Sequence, residues 1–397
     1  MSKLEKLIQQ YCPDVVEYKA LGEVTIMKRG TSATKGIMQE GNIPVISGGR
    51  QPAFYCNASN RTGEVITVAG SGAGAGYVQY WNEPIFVCDA FSIQGNETLN
   101  TKYVYYVLTS IQEKIYSTKK GGGVPHVHIS SIDKFEIPVP PLPVQEEIVR
   151  ILDTFTELQA ELQAELQKRK QQYNFYRDNL LNFKNINRGG QEIKWMKLSD
   201  IGTFYSGLSG KTKDDFHDGN AKFISYVNIF NNPSLITDVK DRVRILEGEK
   251  QNTIQYGDLL FTGSSETPDE CGMCSVLTHH TEEKLYLNSF CFGFRFNDLS
   301  EINPEFMKFL FRSSTIRKLI CKTANGVTRF NISKKEFAKI VIPIPSLKEQ
   351  DHIASVLDKF YFLVGDLTSG LPAEIEKRRQ QYEFYRDKLL TFKRKEA

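Results

Sequence analysis

The sequence contains no apolar run that approaches the roughly 20 residues of a membrane-spanning helix. Residues 1–7 also lack the apolar stretch of a secretory signal peptide. Cysteine is scarce, with 7 residues among 397. An odd number in a large chain without an export signal disfavours a disulfide framework. We therefore expect a cytoplasmic protein whose thiols are reduced and mostly fill the core.

An excess of charge of one sign is also missing. Lys and Arg total 50 and Asp and Glu total 47, which gives a formal net charge of +3. This balance neither requires nor excludes an anionic partner, so a nucleic-acid interface must be argued from where the charges lie. With 40% hydrophobic and 11% aromatic residues, the composition is that of a globular protein. The length allows two to four domains of roughly 100–200 residues.

Motifs of catalysis and nucleotide binding are missing as well. There is no G-x-x-x-x-G-K-[ST] phosphate loop, no G-x-S-x-G elbow, no H-E-x-x-H pair and no Asn/Asp-Pro-Pro-aromatic segment of an amino-methyltransferase. The glycine-rich residues 70–76 formally fit G-x-G-x-x-A, but residues 77–80 alternate like a strand, whereas a dinucleotide site requires a helix there. We predict a hairpin, which is either a plain turn or a close approach to a ligand.

A possible zinc site is weak. Cys271 and Cys274 precede His279 and His280, and all four are zinc-ligand types, but a zinc finger separates its two pairs by a longer segment. We expect a solvent-exposed turn and no metal site.

A possible nuclease site is also weak. Asp269, Glu282 and Lys284 formally satisfy a loose P-D…E-x-K pattern, but such a match is expected by chance in a sequence with this many charged residues. We predict no catalytic residue in this chain.

The sequence contains a long internal repeat. I-P-V-P at residues 137–140 returns as I-P-I-P at residues 342–345, and the motif at residues 168–178 returns at residues 377–387. The second copy carries four extra residues, so the offset changes from 205 to 209. Five residues recur at the first offset: Gln145, Ile148, Leu152, Asp153 and Phe155 return as Gln350, Ile353, Leu357, Asp358 and Phe360. The chain is therefore one unit duplicated, each copy a divergent part followed by a similar helix.

Two long helices are predicted. Apolar residues between 144 and 183 advance in steps of three and four, which places them on one stripe. The second helix begins with a capping box at residues 346–349 and is expected to restart near Leu371, because Gly365, Gly370 and Pro372 interrupt it. Since each rod carries one apolar stripe, we expect the rods to pack against each other as an antiparallel pair.

The predicted fold class is α+β, with two strand-rich domains separated by two long antiparallel coiled-coil helices and related by pseudo-two-fold symmetry. Proline-flanked strands at residues 135–143 and 339–345 lead into the rods. Other strands are predicted at residues 65–68, 77–80, 258–261 and 292–296, and helices at residues 102–117 and 304–321.

Basic and hydroxyl-bearing residues gather in loops, and equivalent glycine-rich loops precede the two proline-flanked strands. Lysines near glycine suit phosphates, while Ser, Asn and Arg suit base edges. Ordinary solvated surface is the alternative. In the first half, the candidates for DNA contact are Arg50, Ser71, Gly72, Lys119, Lys120, His126 and His128. In the second half, they are Lys211, Lys213, Ser264, Ser265, Lys322, Asn325, Arg329 and Asn331.

The doubled I-P-[VI]-P and K-R-[KR]-Q-Q-Y-x-F-Y-R-D motifs resemble the specificity (S) subunit of type I restriction–modification systems over essentially the whole chain. The resemblance implies a non-catalytic subunit in which each divergent half is a target recognition domain that reads one part of a split DNA sequence. It implies domains at residues 1–143 and 187–345, a central spacer helix at 144–186 and a C-terminal spacer helix at 346–397.

The resemblance also implies the partners: double-stranded DNA, two modification (methyltransferase) subunits and restriction subunits, and no membrane. S-adenosylmethionine, ATP and Mg²⁺ would then belong to the partner subunits, with no cofactor bound by this chain. We expect the repeated rod motifs to dock the partners, with an exposed charged face of the coiled coil as the alternative. The docking candidates are Lys168, Arg169, Tyr173, Tyr176, Arg177, Arg378, Arg379, Tyr382, Tyr385 and Arg386.

The central helix contains a tandem four-residue repeat. L-Q-A-E at residues 158–161 is followed at once by L-Q-A-E at residues 162–165 and by a partial third copy. One unit of helix is about 6 Å long. Our hypothesis is that the number of units sets the gap between the two parts of the DNA target.

Two other classes of protein remain open from the sequence. One is a self-sufficient nuclease that uses the P-D…E-x-K residues, and the other is a scaffold that binds proteins alone. The divergence of the two halves beside the similarity of the helices favours a reader of two different targets.

Overall fold

The computed structural model describes residues 2–33, 40–183, 193–365 and 370–394. The chain divides into two compact units. Unit 1 comprises Met1–Ala164 and Glu374–Ala397, and unit 2 comprises Glu165–Ala373. In the described ranges no helix has the length and apolar character that a membrane crossing requires.

Unit 1 is an α+β unit built on a four-stranded antiparallel sheet in the order β2-β8-β5-β6, with a three-stranded sheet β4-β3-β7 and a two-stranded pair β1-β9. Its elements in chain order are α1 Lys3–Tyr11, β1 Tyr18–Ala20, α2 Leu21–Val24, β2 Thr25–Arg29, β3 Ile43–Ile46, β4 Phe54–Cys56, β5 Val65–Ala69, β6 Val78–Trp81, β7 Phe86–Val87, β8 Ala90–Gly95, α3 Thr101–Ser110, α4 Gln112–Tyr116, α5 Ile129–Ile132, β9 Glu136–Pro138 and the first part of α6 Leu142–Leu180.

Unit 2 repeats this plan. The sheet β11-β19-β15-β17 and the pair β10-β22 correspond to those of unit 1, and two more sheets have the orders β13-β12-β18-β14 and β16-β21-β20. Its elements are β10 Lys194–Lys197, α7 Leu198–Ile201, β11 Gly202–Ser206, β12 Ala221–Ile224, α8 Tyr226–Asn231, β13 Arg242–Val243, β14 Thr253–Ile254, β15 Leu259–Thr262, β16 Ser264–Ser265, β17 Cys274–Val276, β18 Leu285–Leu287, β19 Cys291–Phe296, α9 Pro304–Leu310, α10 Ser314–Cys321, β20 Ala324–Asn325, β21 Phe330–Ile332, α11 Lys334–Phe337, β22 Val341–Ile344, α12 Leu347–Gly365 and the start of α13 Leu371–Leu389. Two 3₁₀ turns lie at Lys213–Phe216 and Pro268–Glu270.

The proline-flanked strands close each unit, as their sequence predicts. β9 pairs antiparallel with β1, and β22 pairs antiparallel with β10. Proline is tolerated here because each strand has only one neighbour, so the missing N–H breaks no inner ladder. The rod that follows each strand therefore starts at a fixed point on its own unit.

The rods are anchored by the repeated residues. Ile148 and Leu152 are fully buried in the core of unit 1, with Ile66, Tyr103 and other apolar residues. Ile353 and Leu357 take the same place in the core of unit 2, which is rich in phenylalanine. The first residues of each apolar stripe thus pack the rod onto the core of its own unit.

The rods also pair within each unit. In unit 2, Tyr173 contacts Tyr361 with ring centroids 6.0 Å apart, and Tyr176 stacks on Phe360 at 5.4 Å. Later residues of α6 thus face earlier residues of α12, so this pair is antiparallel. The restart predicted near Leu371 is confirmed, since α12 ends at Gly365 and α13 begins at Leu371.

The end of each rod returns to a domain core. Leu181 and Phe183, just after α6, are buried in unit 2, although the periodicity extends the helix as far as residue 183. Leu390, just after α13, is buried in unit 1. The segment that follows is tied to the N-terminal part, because Val16 donates its N–H to the Lys393 carbonyl at 2.9 Å and Arg394 pairs with Glu136 at 2.7 Å.

The two helices predicted at residues 102–117 and 304–321 are each broken. α3 ends at Ser110, where the Ser110 hydroxyl donates to the Val107 carbonyl at 2.8 Å. α9 ends before Ser313, whose side chain caps α10. Both breaks have the same cause, because serine hydroxyls compete with the backbone for hydrogen bonds near helix ends.

Candidate nucleic-acid interface

The glycine-rich residues 70–76 form the predicted hairpin between β5 and β6, which pair antiparallel. A Cβ atom added at Gly74 would lie 2.4 Å from the Gly48 carbonyl oxygen. The bare backbone is therefore needed for the contact between two loops of unit 1. No dinucleotide-binding helix follows, since β6 comes next.

In unit 1 the structure brings together four of the predicted DNA-contact residues. Ser71 and Lys120 each form a β-bridge with His126, and the Gly72 N–H donates to the Pro125 carbonyl at 3.0 Å. The Ser71 hydroxyl donates to the Asp89 carboxylate. The serine-bearing hairpin and the Lys-Gly loop thus form one continuous surface.

Histidines line a cavity beside this surface. The rings of His126 and His128 are nearly parallel, with centroids 6.0 Å apart. Together with Arg29 and Asp89 they line a cavity of about 390 Å³. The cavity wall therefore carries both hydrogen-bond donors and acceptors, as recognition of base edges requires.

Two other predicted residues of unit 1 are held by aromatic rings. The Arg50 guanidinium lies 5.0 Å from the centre of the Tyr77 ring, and the Lys119 ammonium lies 4.1 Å from that of Tyr116. Such cation–π contacts orient the cations at the protein surface.

In unit 2 the three-stranded sheet β16-β21-β20 collects five predicted residues. Ser264 lies opposite Asn331, Asn325 also lies opposite Asn331, and Ser265 is next to Ser264 on the edge strand. Arg329 donates to the Ser264 hydroxyl from Nε at 3.2 Å and from Nη2 at 3.1 Å. The two serines are separated from the other three residues by a long stretch of sequence, and the fold brings the two groups together.

A wide cavity opens beside this sheet. It has a volume of about 930 Å³ and is lined in part by Tyr226, Phe230, Ser264, Phe290 and Arg329. The Arg329 guanidinium lies 6.0 Å from the centre of the exposed Phe290 ring. Glu266 and Glu270 line the cavity as well. Carboxylates repel phosphates but accept hydrogen bonds from cytosine amino groups, so the cavity suits base edges better than the DNA backbone.

Equivalent loops lie next to these two surfaces, as the sequence predicts. In unit 2 the loop between β20 and β21 turns at Gly326, whose φ of +145° and close approach to the Arg329 carbonyl exclude a side chain. Val327 at its tip is 91% exposed. In unit 1, Val124 is exposed in the corresponding loop. Each loop is followed by a short helix, α5 or α11, and then by the proline-flanked strand.

Three predicted residues of unit 2 lie elsewhere. The Lys211 side chain is only 6% exposed, and its ammonium pairs with Glu249 at 2.6 Å. Lys213 lies in a 3₁₀ turn close to the β12-β13 region. Lys322 lines a different cavity, together with Leu181 and Trp195. The sequence does not distinguish these lysines from the ones near the serine-bearing loops.

The surface also includes residues that the sequence prediction missed. Tyr226, Val227, Phe230 and Phe290 line the unit 2 cavity, and Tyr226 donates its hydroxyl hydrogen to the Ser264 carbonyl at 2.8 Å. From the sequence alone, aromatic residues at such positions are expected to lie in the hydrophobic core. Val327 directly follows Gly326 in a loop that also contains the predicted residues Asn325 and Arg329, so its place on this surface could be predicted from the sequence.

The expected solvent-exposed turn at the cysteines is wrong. Cys271 and Cys274 are fully buried, and burial raises the pKa of the Cys274 thiol to about 12. His279 instead contacts the Thr237 hydroxyl at 3.0 Å, and His280 stacks on Tyr256. In the described ranges no group of three or more His, Cys, Asp and Glu residues is placed to hold a metal ion.

The residues of the nuclease pattern are also dispersed. Asp269 lies in the turn Pro268–Glu270, whereas Glu282 and Lys284 are exposed in the segment before β18.

The docking candidates on the rods divide into exposed residues, tyrosines packed on the cores and arginines held in ion pairs. Lys168, Arg169, Tyr176, Arg379 and Tyr385 are exposed, whereas Tyr173 is buried in the core of unit 2 and Tyr382 packs against the core of unit 1. Burial raises the pKa of both tyrosines to about 12. Arg177 and Arg386 pair with the neighbouring Asp178 and Asp387, and Arg378 with Glu374.

The fold and these surfaces define a two-domain α+β protein made of one duplicated unit, with a polar loop surface on each domain. Comparison with known families identifies the class. A family model described as the type I restriction modification DNA specificity domain matches residues 13–169 and again residues 191–377. The chain belongs to this family, whose members are non-catalytic subunits that recognise DNA sequence and are not themselves cofactor-binding enzymes.

Two similar proteins match this chain over essentially its whole length. The type I restriction enzyme EcoR124I/EcoR124II specificity subunit of Escherichia coli is 30% identical over 440 residues, covering 100% of this chain and 98% of that protein. A putative type I restriction enzyme specificity subunit of Haemophilus influenzae, S.HindORF215P, is 29% identical and covers 98% of both.

Two solved structures share the fold. One is the S subunit of a type I restriction–modification system from M. genitalium, with a TM-score of 0.52, 17% identity and coverage of 94% of this chain and 95% of that one. The other comes from work on complex assembly and conformational transition of the type I system, with a TM-score of 0.57, 16% identity and coverage of 95% and 97%. The predicted α+β fold with two domains is therefore confirmed.

Proposed function

We propose that this chain reads a bipartite DNA target and directs the subunits of a type I restriction–modification complex to it. The recognition domains are residues 1–143 and 187–345, and the spacers are residues 144–186, which contain most of α6, and residues 346–397, which contain α12 and α13. Residues 184–192, 366–369 and 395–397 of these ranges lie outside the described residues. Each recognition domain reads one part of the target through the loop surface described above.

One observation carries this proposal. Nine of the eleven residues in the rod motif at 168–178 recur at 377–387, whereas the loop surfaces at equivalent places carry different side chains. Lys120 and His126 stand in unit 1 where Asn325, Arg329 and Asn331 stand in unit 2. Different donors and acceptors read different bases. Two unlike half-sites separated by a gap are the target that such a protein would recognise.

The partners follow from the family. Two modification subunits, which are adenine methyltransferases, dock on the repeated rods, and restriction subunits join that core. S-adenosylmethionine, ATP and Mg²⁺ are used by these partners. The complex acts on double-stranded DNA in the cytoplasm.

The test is to express the chain with its cognate modification subunit in a host without other adenine methylation and to sequence the methylated genome. We expect one bipartite motif with a gap of constant length. Methylation without a motif, or with a continuous one, would contradict the proposal. Cleavage of DNA by the purified chain with Mg²⁺ alone would favour a nuclease, and absence of DNA binding by the assembled complex at low salt would favour a protein scaffold.

A further inference from the structure

Each unit contains the same stack of three aromatic rings on its rods. In unit 2, Phe175 lies edge-on to Tyr176 with centroids 5.6 Å apart, and Tyr176 stacks on Phe360 at 5.4 Å. In unit 1, Phe384 lies edge-on to Tyr385 at 5.4 Å, and Tyr385 stacks on Phe155 at 5.6 Å. The interplanar angles agree too: 74° for both edge-on pairs, and 24° and 25° for the stacks.

The outer ring of each stack is left in solvent. Phe175 is 64% exposed and Phe384 is 63% exposed. Each outer ring contacts the neighbouring tyrosine, and that tyrosine is itself stacked on the third ring, so the outer ring has less side-chain freedom to lose on binding than an isolated one. A single exposed phenylalanine needs no explanation. Here the exposed ring is retained in both copies of a repeat whose domains have diverged, which indicates that the ring itself is needed.

Positive charge accompanies each ring. Lys168 lies seven residues before Phe175, and Lys377 lies seven residues before Phe384, which places each lysine two turns away on the same side of its helix. Both lysines are exposed. The neighbouring arginines are engaged along the helix, as Arg169 pairs with Glu165 and Arg379 with Glu376. The surface that fits this arrangement is an apolar cavity with carboxylates at its rim.

We propose that Phe175 and Phe384 are the two anchor residues that dock two copies of the same partner, the modification subunit. This inference rests on the function proposed above and adds to it the residues that carry the assembly. Two equivalent anchors in one chain fit two identical partners, because each anchor presents the same rings in the same geometry. Aromatic anchors seated in apolar cavities typically dominate the energy of an interface.

The residues that contact the partner therefore differ from those predicted from the repeat. Tyr173 and Tyr382 pack against the cores of their own units, so they support the rods. Phe175 and Phe384 belong to the same motif and take over the role of direct contact.

The experiment is to co-express the chain with its modification subunit and to count bound copies by native mass spectrometry. The wild-type chain is expected to carry two copies. Phe175→Ala and Phe384→Ala are each expected to carry one copy, and the double variant none, because loss of an anchor weakens its site by at least about tenfold. Phe175→Gln and Phe384→Gln, which replace the ring with a polar helix former, are expected to give the same counts.

A matched control lies on the same rods. Phe362 on α12 is 52% exposed, but Glu157 stands at its repeat position. Phe362→Ala is expected to keep both copies. Thermal unfolding of each variant is expected to match that of the wild type, since the removed ring is in solvent.

Two results would distinguish failure of the anchor assignment from failure of the proposed function. If the wild type carries two copies and both single-site variants still do, the anchor assignment is wrong and the proposed function stands. If the wild type carries no modification subunit, the proposed function itself is wrong. Loss of both copies from a single-site variant would also overturn the proposal, since it assigns one partner to each ring.

Discussion

Gln145 and Gln350 make the same three hydrogen bonds in their respective units. The Gln145 amide donates to the carbonyls of Pro140 at 2.6 Å and Thr98 at 2.9 Å, and accepts from the Asn100 N–H at 2.9 Å. The Gln350 amide donates to the carbonyls of Pro345 and Glu301, both at 2.8 Å, and accepts from the Asn303 N–H at 2.8 Å. Both side chains are fully buried.

This contact joins three elements at one point. Asn100 and Asn303 are themselves the N-caps of α3 and α9, and the prolines end the strands that lead into the rods. The buried amide thus fixes each rod to the helix and strand of its own unit. This explains why a polar residue recurs at a core position of the repeat.

Gln145→Ala is expected to destabilise unit 1. The change leaves one buried N–H and two carbonyls without their partner, at a cost of about 1–3 kcal/mol for each group that water cannot reach. We expect the unfolding midpoint to fall by about 5–10 °C in calorimetry of the full chain. Gln163→Ala, at an exposed position of the same helix, should leave the midpoint nearly unchanged. Equal effects of the two substitutions would contradict this account.

The rods and their anchoring residues could be predicted from the sequence because two independent signals coincide there. Apolar spacing predicts the helices, and the repeat marks residues such as Leu152 and Leu357 as special. The strands β5, β15 and β19 were also predicted to within about one residue, since buried β-rich runs between turns define them locally.

The loop surfaces were predicted less completely, because burial and pairing depend on distant parts of the chain. Lys211 reads as a surface lysine but is buried against Glu249. Phe290 reads as core but is exposed beside Arg329. On the rods, the periodic spacing of a tyrosine such as Tyr173 is compatible with two roles. The side chain can pack on its own domain, or it can contact a partner protein. Local pattern does not decide between these cases.

Arg329→Ala is expected to relax the specificity of the half-site that unit 2 reads. Arg329 is held by Ser264 at the wall of the cavity, so its guanidinium is preorganised for a base edge. Loss of one such contact costs about 1–3 kcal/mol, or roughly 5–150-fold in discrimination at one base pair. Methylated-genome sequencing should show degeneracy at one position of one half-site.

The control for this variant is Arg242→Ala. Arg242 is also an exposed arginine of unit 2, but it lies on β13 in a different sheet. We expect the methylated motif to stay unchanged in this variant. Degeneracy in the half-site of the other domain after Arg329→Ala would refute the assignment.

Glu147 is expected to make the stability of unit 1 depend on pH. Its buried carboxylate accepts hydrogen bonds from Arg150 at 2.7 Å and from Lys3 at 2.7 Å, and these contacts lower its pKa from 4.5 to about 2. Since the pKa is lower in the folded state, the stabilisation is fully present above about pH 4.5 and is lost as the pH falls towards 2. His352 stands at this position of the second copy, so unit 2 lacks the contact.

The measurement is the unfolding midpoint of the full chain between pH 7 and pH 2. Glu147→Gln should lower the midpoint at neutral pH and flatten its fall below pH 4.5. Glu146→Gln, at the exposed neighbouring position, should keep the wild-type profile. A Glu147→Gln variant whose midpoint falls as steeply as that of the wild type would show that other carboxylates control acid unfolding.

Deleting residues 162–165 is expected to shorten the gap in the DNA target. The L-Q-A-E units lie within the continuous helix α6, and the division between the two units falls at Ala164 and Glu165. Four residues of helix correspond to about 6 Å of length and about 40° of rotation beyond a full turn. One base pair of DNA corresponds to about 3.4 Å and about 35°. We therefore expect the methylated motif to keep both half-sites and to lose one or two base pairs between them.

Replacing the same unit with four alanines, which preserves the helix length, should leave the gap unchanged. An unchanged gap after the deletion would show that the length of this segment does not set it.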